Sequence, residues 1–100
     1  MSKRIIYGGN AEFHCVSHGI PKPLIVWYKK SHLKMEIINT TDTTKFFIAP
    51  NGTLFISKVD YNDVKMYQCF SVSPGGLTRN VSVELDVYGT YLSSFILLYI

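Results

Sequence analysis

The sequence predicts an all-β domain, an antiparallel sandwich or barrel, on three observations. Six or seven short runs alternate apolar and polar residues or are β-branched and aromatic, turn residues recur about every ten positions, and no stretch carries a convincing helical period. A pair of cysteines, Cys15 and Cys69, 54 positions apart with Trp27 between them, adds to these three. A bridge joining an early strand to a late one would suit two sheets pinned through a shared core. The alternative is two buried reduced thiols, which pack as small hydrophobes.

Taken in order, Lys3-Arg4 is followed by only Ile5, Ile6 and Tyr7 before glycines intervene, too short an apolar run for a secretory signal, so an exported protein would carry its signal elsewhere. After the turn Gly8-Gly9-Asn10, the residues Ala11, Phe13 and Cys15 alternate with polar neighbours as in a half-buried strand. Pro21 and Pro23 then hold an extended entry to Leu24-Ile25-Val26-Trp27-Tyr28-Lys29, the strongest strand in the chain, with Ile25 and Trp27 on one face. Leu33, Met35 and Ile37 are the expected inward set of a short edge strand. Asn39 to Thr44 reads as a loop, and Ala49-Pro50-Asn51-Gly52 as the turn of a hairpin in which Leu54 and Ile56 face inward and Phe55 outward. Asp60 to Asp63 is a polar corner. In the strand Met66 to Val72, Tyr67 and Cys69 share a face, and the tyrosine hydroxyl can turn back to the chain upstream. Ser73-Pro74-Gly75-Gly76 is a tight turn, and Val81, Val83, Leu85 and Val87 alternate with polar residues in the last strand.

Composition narrows the class. With 47% hydrophobic, 14% aromatic and 17% charged residues, the chain is a packed globule rather than a disordered segment, and its 100 residues make one domain. A net charge of +3 without a long basic run gives no support to nucleic-acid binding.

The pattern Cys15, Trp27, Leu54, Asp63, Tyr67, Cys69 resembles an immunoglobulin domain. More narrowly, Gly19-x-Pro21-x-Pro23-x-Ile25-x-Trp27-x-Lys29, Asn51-Gly52-Thr53-Leu54-x-Ile56 and Asp63-x-x-x-Tyr67-x-Cys69 look like the I-set (intermediate set) of cell-adhesion molecules, receptor ectodomains and muscle giant proteins. The resemblance covers roughly residues 5 to 88. It implies an immunoglobulin-like two-sheet antiparallel sandwich, a Cys15–Cys69 disulfide with Trp27 packed on it, a tyrosine corner at Tyr67, and an ion pair between Asp63 and Lys45. Three departures from the pattern stand out. The first strand is expected to be shortened or missing, since only Ile5 to Tyr7 would serve as its second half. Lys65-Met66 follow the acid where small residues are common, and Ser73 stands where asparagine often precedes the last turn. The first departure suggests a piece of a longer, multi-domain protein or an incomplete gene model.

Little else in the chain suggests chemistry. His14 points away from Cys15 on a strand and His18 lacks further partners, so no metal site is expected; no nucleophile motif, phosphate loop or paired acids indicate an enzyme or a cofactor. Three N-glycosylation sequons occur, at Asn39, Asn51 and Asn80, which together with the cysteines favour secretion. Residues 89–100, apolar from Leu92 to Ile100, lie beyond the last strand of a domain spanning residues 1–88. The run is too short to cross a membrane, which takes about 20 residues, and suits a truncated span or an artefact.

The resulting expectation is a non-enzymatic protein-binding module of an extracellular or cell-surface adhesion or receptor protein. Its partner would be another protein, homophilic or heterophilic, with the membrane reached only through the tail. Tyr28, Phe47 and Phe55 and the turn Pro74, Gly75, Gly76 are candidate contacts. The alternative is a structural module of an intracellular muscle-type array, and a weaker third reading has Lys22, Lys29, Lys30 and Lys34 binding heparan sulfate.

Overall fold

The computed structural model describes residues 2–15, 22–38, 44–76 and 78–89. Gly19, Ile20 and Pro21 of the recognised pattern, His18, Asn39 and the apolar tail after Gly89 lie outside them.

Among the described residues, eight strands form two sheets. Strands β1 (Ser2–Ile6), β8 (Thr78–Tyr88), β7 (Met66–Val72), β3 (Leu24–Lys30) and β4 (Met35–Ile37) make a five-stranded sheet in that order. Strands β2 (Ala11–Phe13), β6 (Leu54–Ile56) and β5 (Phe46–Ile48) make the second. A 3-10 turn, Tyr61–Asp63, precedes β7. Between the sheets the alternation of β2, β6 and β8 delivers Ala11, Phe13, Leu54, Ile56, Val83, Leu85 and Val87, all buried, to a common core with Trp27, Tyr67 and the cysteines.

Two expectations need correction. The first strand is shortened to five residues, as expected, but it starts at Ser2 rather than Ile5 and runs parallel to β8, with Lys3 opposite Leu85 and Ile5 opposite Val87. Its inward positions are Lys3 and Ile5, and a lysine there disguises the apolar face. The lysine stem lies across the core because the ammonium reaches out, 5.7 Å from the Phe13 ring centroid and bonded to the Glu12 carbonyl. The edge of the sheet beside β8 is therefore covered by β1.

The second correction concerns β4. Leu33, Met35 and Ile37 were expected inward, yet they are 88%, 43% and 60% exposed, and the buried residue is Ile38. The turn after β3, closed by the Ser31 amide on the Lys34 carbonyl, sets Ile37 opposite Tyr28 and Met35 opposite Lys30. Those positions of β3 face away from the core, because Trp27 faces into it, so their partners must also face out.

Candidate functional site

The residues recognised in the sequence assemble on β7 and its surroundings. Cys15, just beyond β2, is joined to Cys69 of β7 by a disulfide that links the two sheets, with the Cα atoms 6.3 Å apart. Trp27 sits opposite Cys69 in the β3–β7 register and is 1% exposed. Phe13 bridges the sheets from the other side, its ring centroid 6.4 Å from Trp27 and 5.5 Å from Tyr67. Leu54 is fully buried in the same core.

The corner before β7 is held by three interlocked devices. Asp60 caps the 3-10 turn by accepting from the Asn62 amide, while the Asp63 carboxylate accepts from the Asp60 amide, a capping box. The same carboxylate pairs with Lys45 at 2.7 Å, and Lys45 also donates to the Lys58 carbonyl at 2.9 Å, tying the approach to β5 to this corner. The Tyr67 hydroxyl donates 2.8 Å to the Asp63 carbonyl, closing the tyrosine corner. Burial, with the Asp63 and Asp60 carboxylates adding to it, pushes the Tyr67 phenol well above its ordinary range. Each of these groups stabilises the scaffold through a partner within the chain.

Gly52 belongs to this scaffold too, although the sequence marks it only as a turn residue. Its carbonyl accepts the Trp27 indole N–H at 2.7 Å, so the buried indole is satisfied by the β5–β6 turn. Gly52 has φ +94°, and a Cβ there would lie 2.4 Å from Ile25 Cδ1 and 2.8 Å from the Cys15 carbonyl oxygen. The side chain of Asn51 accepts from the Thr53 amide at 3.0 Å and fixes the turn.

The outward candidates divide between two faces. On the three-stranded sheet, Phe47 and Phe55 pair across β5 and β6 with centroids 6.0 Å apart, and Phe47 is 49% exposed. On the five-stranded sheet the register lays down rows across the strands. Leu24 stands beside Val72; Val26 beside Phe70 and then Asn80; Ile37 beside Tyr28, Gln68 and Ser82; Met35 beside Lys30, Met66 and Glu84. Tyr28 and Phe70 meet edge to face at 5.5 Å. Leu24 is 67% exposed and Val72 42%, and the half-buried Val26, Phe70 and Tyr28 lie between them and the exposed Met35 and Ile37, a run of outward apolar residues that the sequence reading missed except for Tyr28. The signal was available, since an inward Trp27 and Cys69 oblige Leu24, Val26, Phe70 and Val72 to point the other way. Pro74, Gly75 and Gly76 form an exposed turn closed by the Gly76 amide on the Ser73 carbonyl.

The four lysines do not gather. Lys22 donates to the Pro50 carbonyl, Lys29 reaches over the Phe46 ring, its neighbour Lys30 faces the opposite side of the sheet, and Lys34 pairs with Glu36 at 2.7 Å. His14 shares a hydrogen bond with Thr53 Oγ1 and lies 3.4 Å from Glu12 Oε1. Among the described residues no three acids, histidines or cysteines converge as a metal site would require.

These features define a class: two β-sheets face to face, stapled by one disulfide over a tryptophan and locked by a tyrosine corner. The chain belongs to the immunoglobulin domain family, whose model, described as "Immunoglobulin domain", matches residues 1–72. The tyrosine-protein kinase-like otk of Drosophila sechellia is 41% identical over 82 residues, which is 82% of this chain and 8% of that protein. The inactive tyrosine-protein kinase 7 of Mus musculus is 33% identical over 63 residues, 63% of this chain and 5% of that protein. The solved structure of Drosophila OTK, extracellular domains 3-5, superposes with a TM-score of 0.70 at 34% identity, covering 86% of this chain and 28% of that one. The chain thus spans only 5% to 8% of the length of these curated relatives.

Proposed function

We propose that this chain is an I-set domain, residues 1–88, acting as a non-enzymatic protein-binding module of an extracellular adhesion or receptor protein. The observation that carries this reading is the apolar outer face of the five-stranded sheet, displayed on a core that is covalently stapled behind it. Such a face is rigid, so ordering its side chains against a partner costs little conformational entropy. The I-set assignment is supported by the Asn51-Gly52-Thr53-Leu54 turn and by the Asp63, Tyr67 and Cys69 constellation. The compartment is the cell exterior or its surface, as for the extracellular domains of OTK, and there the Cys15–Cys69 disulfide persists. The partner is a protein, whether a second copy or a different chain. Asn39, Asn51 and Asn80 are candidate carriers of N-linked glycan, and residues 89–100 stand outside the domain.

The test is secretion of the chain from a glycosylating cell, followed by intact-mass and thiol measurements and by display of the domain on beads. The expected result is an oxidised glycoprotein whose beads bind cells, or one another, and lose that binding on Ile37→Glu. Two free thiols with no glycan on any of the three asparagines would instead place the domain in an intracellular, mechanical array.

A further inference from the structure

We infer that Asn80 is the sequon at which a glycan becomes part of the folded structure, its first sugar lying against Phe70. This deepens the extracellular reading and rests on it. The inward set of β8 is Val81, Val83, Leu85 and Val87, so Asn80 and Ser82 stand on the outer face of the five-stranded sheet. Ser82 accepts from Gln68 Nε2 at 3.1 Å on that face, and Asn80, one step along, is exposed and directly opposite Phe70. Directly opposed residues of an antiparallel pair have their Cβ atoms about 4.5–5.5 Å apart, which is within reach of the first sugar of an asparagine-linked chain. Phe70 is only half-buried, and its row continues to the half-buried Val26. A pyranose ring has an apolar face of C–H groups that packs on an aromatic ring as an aliphatic side chain does. The glycan would therefore cover apolar surface that the protein leaves in water.

The other described sequon differs. Asn51 lies in the turn before β6, its Oδ1 occupied by the Thr53 amide, and the residue after Gly52 is buried, so a sugar on the Asn51 Nδ2 points into solvent from a loop. The attachment itself is ordinary chemistry. The Asn80 Nδ2 forms a bond to the anomeric carbon of a polyprenyl-pyrophosphate-linked oligosaccharide, the carbon–oxygen bond to the pyrophosphate breaks, and the lipid pyrophosphate leaves while Nδ2 gives up a proton to the transferase. A glycan placed there also divides the outer face, leaving the β3–β4 side with Leu24, Met35 and Ile37 free for a protein partner.

The experiment uses the full chain secreted from glycosylating cells, trimmed enzymatically to a single N-acetylglucosamine, and compared with the same protein fully deglycosylated. Site mapping is expected to find sugar on Asn80. The trimmed form is expected to melt about 2–6 °C above the deglycosylated one, the size of one aromatic contact in a domain this small. In Phe70→Leu, which keeps an apolar residue in the strand, that difference should fall to under half, while Asn80→Gln alone should match the deglycosylated wild type. An Asn80 without sugar in a chain glycosylated at Asn51 would overturn the inference and leave the extracellular reading standing. A melting difference unchanged in Phe70→Leu would overturn it as well. No sugar on any sequon, with free thiols, would remove both.

Discussion

The two sides of the five-stranded sheet are made by the same strands, yet they differ in almost everything that matters. On the inner side Trp27, Tyr67, Cys69, Val83 and Leu85 are all at or below 3% exposure, and each polar atom has a defined partner. On the outer side the interleaved residues Leu24, Met35, Ile37 and Val72 are 42% to 67% exposed. The inner side therefore carries the stability, and the outer side is free to vary with whatever it meets. Substitutions that sort cleanly into these two effects would support that division, and crossed effects would break it.

The largest effect is expected from the staple. Replacing both cysteines, Cys15→Ala with Cys69→Ala, removes a cross-link closing a loop of 54 residues, worth about 4 kcal/mol on the chain-entropy account. Small domains have only about 5–15 kcal/mol in total. Thermal and urea denaturation should show the midpoint falling by at least about 15 °C. A drop of a few degrees would mean that the sheets are held by packing alone.

Gly52→Ala comes next, at about 2–4 kcal/mol, because the new Cβ meets both Ile25 Cδ1 and the Cys15 carbonyl at a positive φ. The variant Ile25→Val removes the Cδ1 contact but leaves the carbonyl and the backbone strain. Combined with Gly52→Ala it should recover part of the loss, and full recovery would show that the backbone is not strained. Trp27 fluorescence should shift in Gly52→Ala, since the carbonyl that holds the indole N–H moves with the turn.

Tyr67→Phe is expected to cost about 1–2 kcal/mol by leaving the Asp63 carbonyl without its donor. It should also change the alkaline limb. The unfolded phenol titrates near pH 10, its ordinary value, and the folded one above that. Its contribution is thus complete below pH 10 and is lost as pH rises toward the folded value, because the unfolded chain gives up the proton first. Wild-type stability should fall by up to about 1.4 kcal/mol per pH unit above pH 10 through this residue, and Tyr67→Phe should lack that component.

How much of this was legible depended on whether a residue's role is written in its own neighbourhood. Cys15, Trp27, Asp63, Tyr67 and Cys69 were readable because the corner and the strand alternation fix their directions locally. The Lys45 partner of Asp63 came through the resemblance, since no local rule joins two residues 18 positions apart, a separation the structure closes to 2.7 Å. The start of the short first strand was misplaced because an inward lysine, with its ammonium reaching out to the Glu12 carbonyl, reads as polar. The direction of β4 was misjudged because three residues give too little alternation to fix a face, so the turn at Ser31–Lys34 and the register to β3 decide it. Gly52 looked like any turn glycine, and only the approach of Ile25 and Cys15 from distant parts of the chain shows why nothing else fits.

The smallest expected effect on stability is also the sharpest test of the comparison. Ile37 is 60% exposed at the end of an edge strand and stands opposite Tyr28 on the outer face. Ile37→Thr keeps a β-branched residue in the strand and should change stability by less than about 0.5 kcal/mol, the usual range for surface substitutions. Ile38→Thr, one residue on, places a hydroxyl at a position only 5% exposed and should cost about 2–3 kcal/mol. Partner binding should respond in the opposite order: Ile37→Thr weakens it, by tenfold or more if the residue is a central contact, since that is about 1.4 kcal/mol. Ile38→Thr, measured well below its melting midpoint, leaves binding within about twofold. An Ile37 variant that melts like the Ile38 one would show that β4 is turned inward after all, and the outer face would lose its claim to recognition.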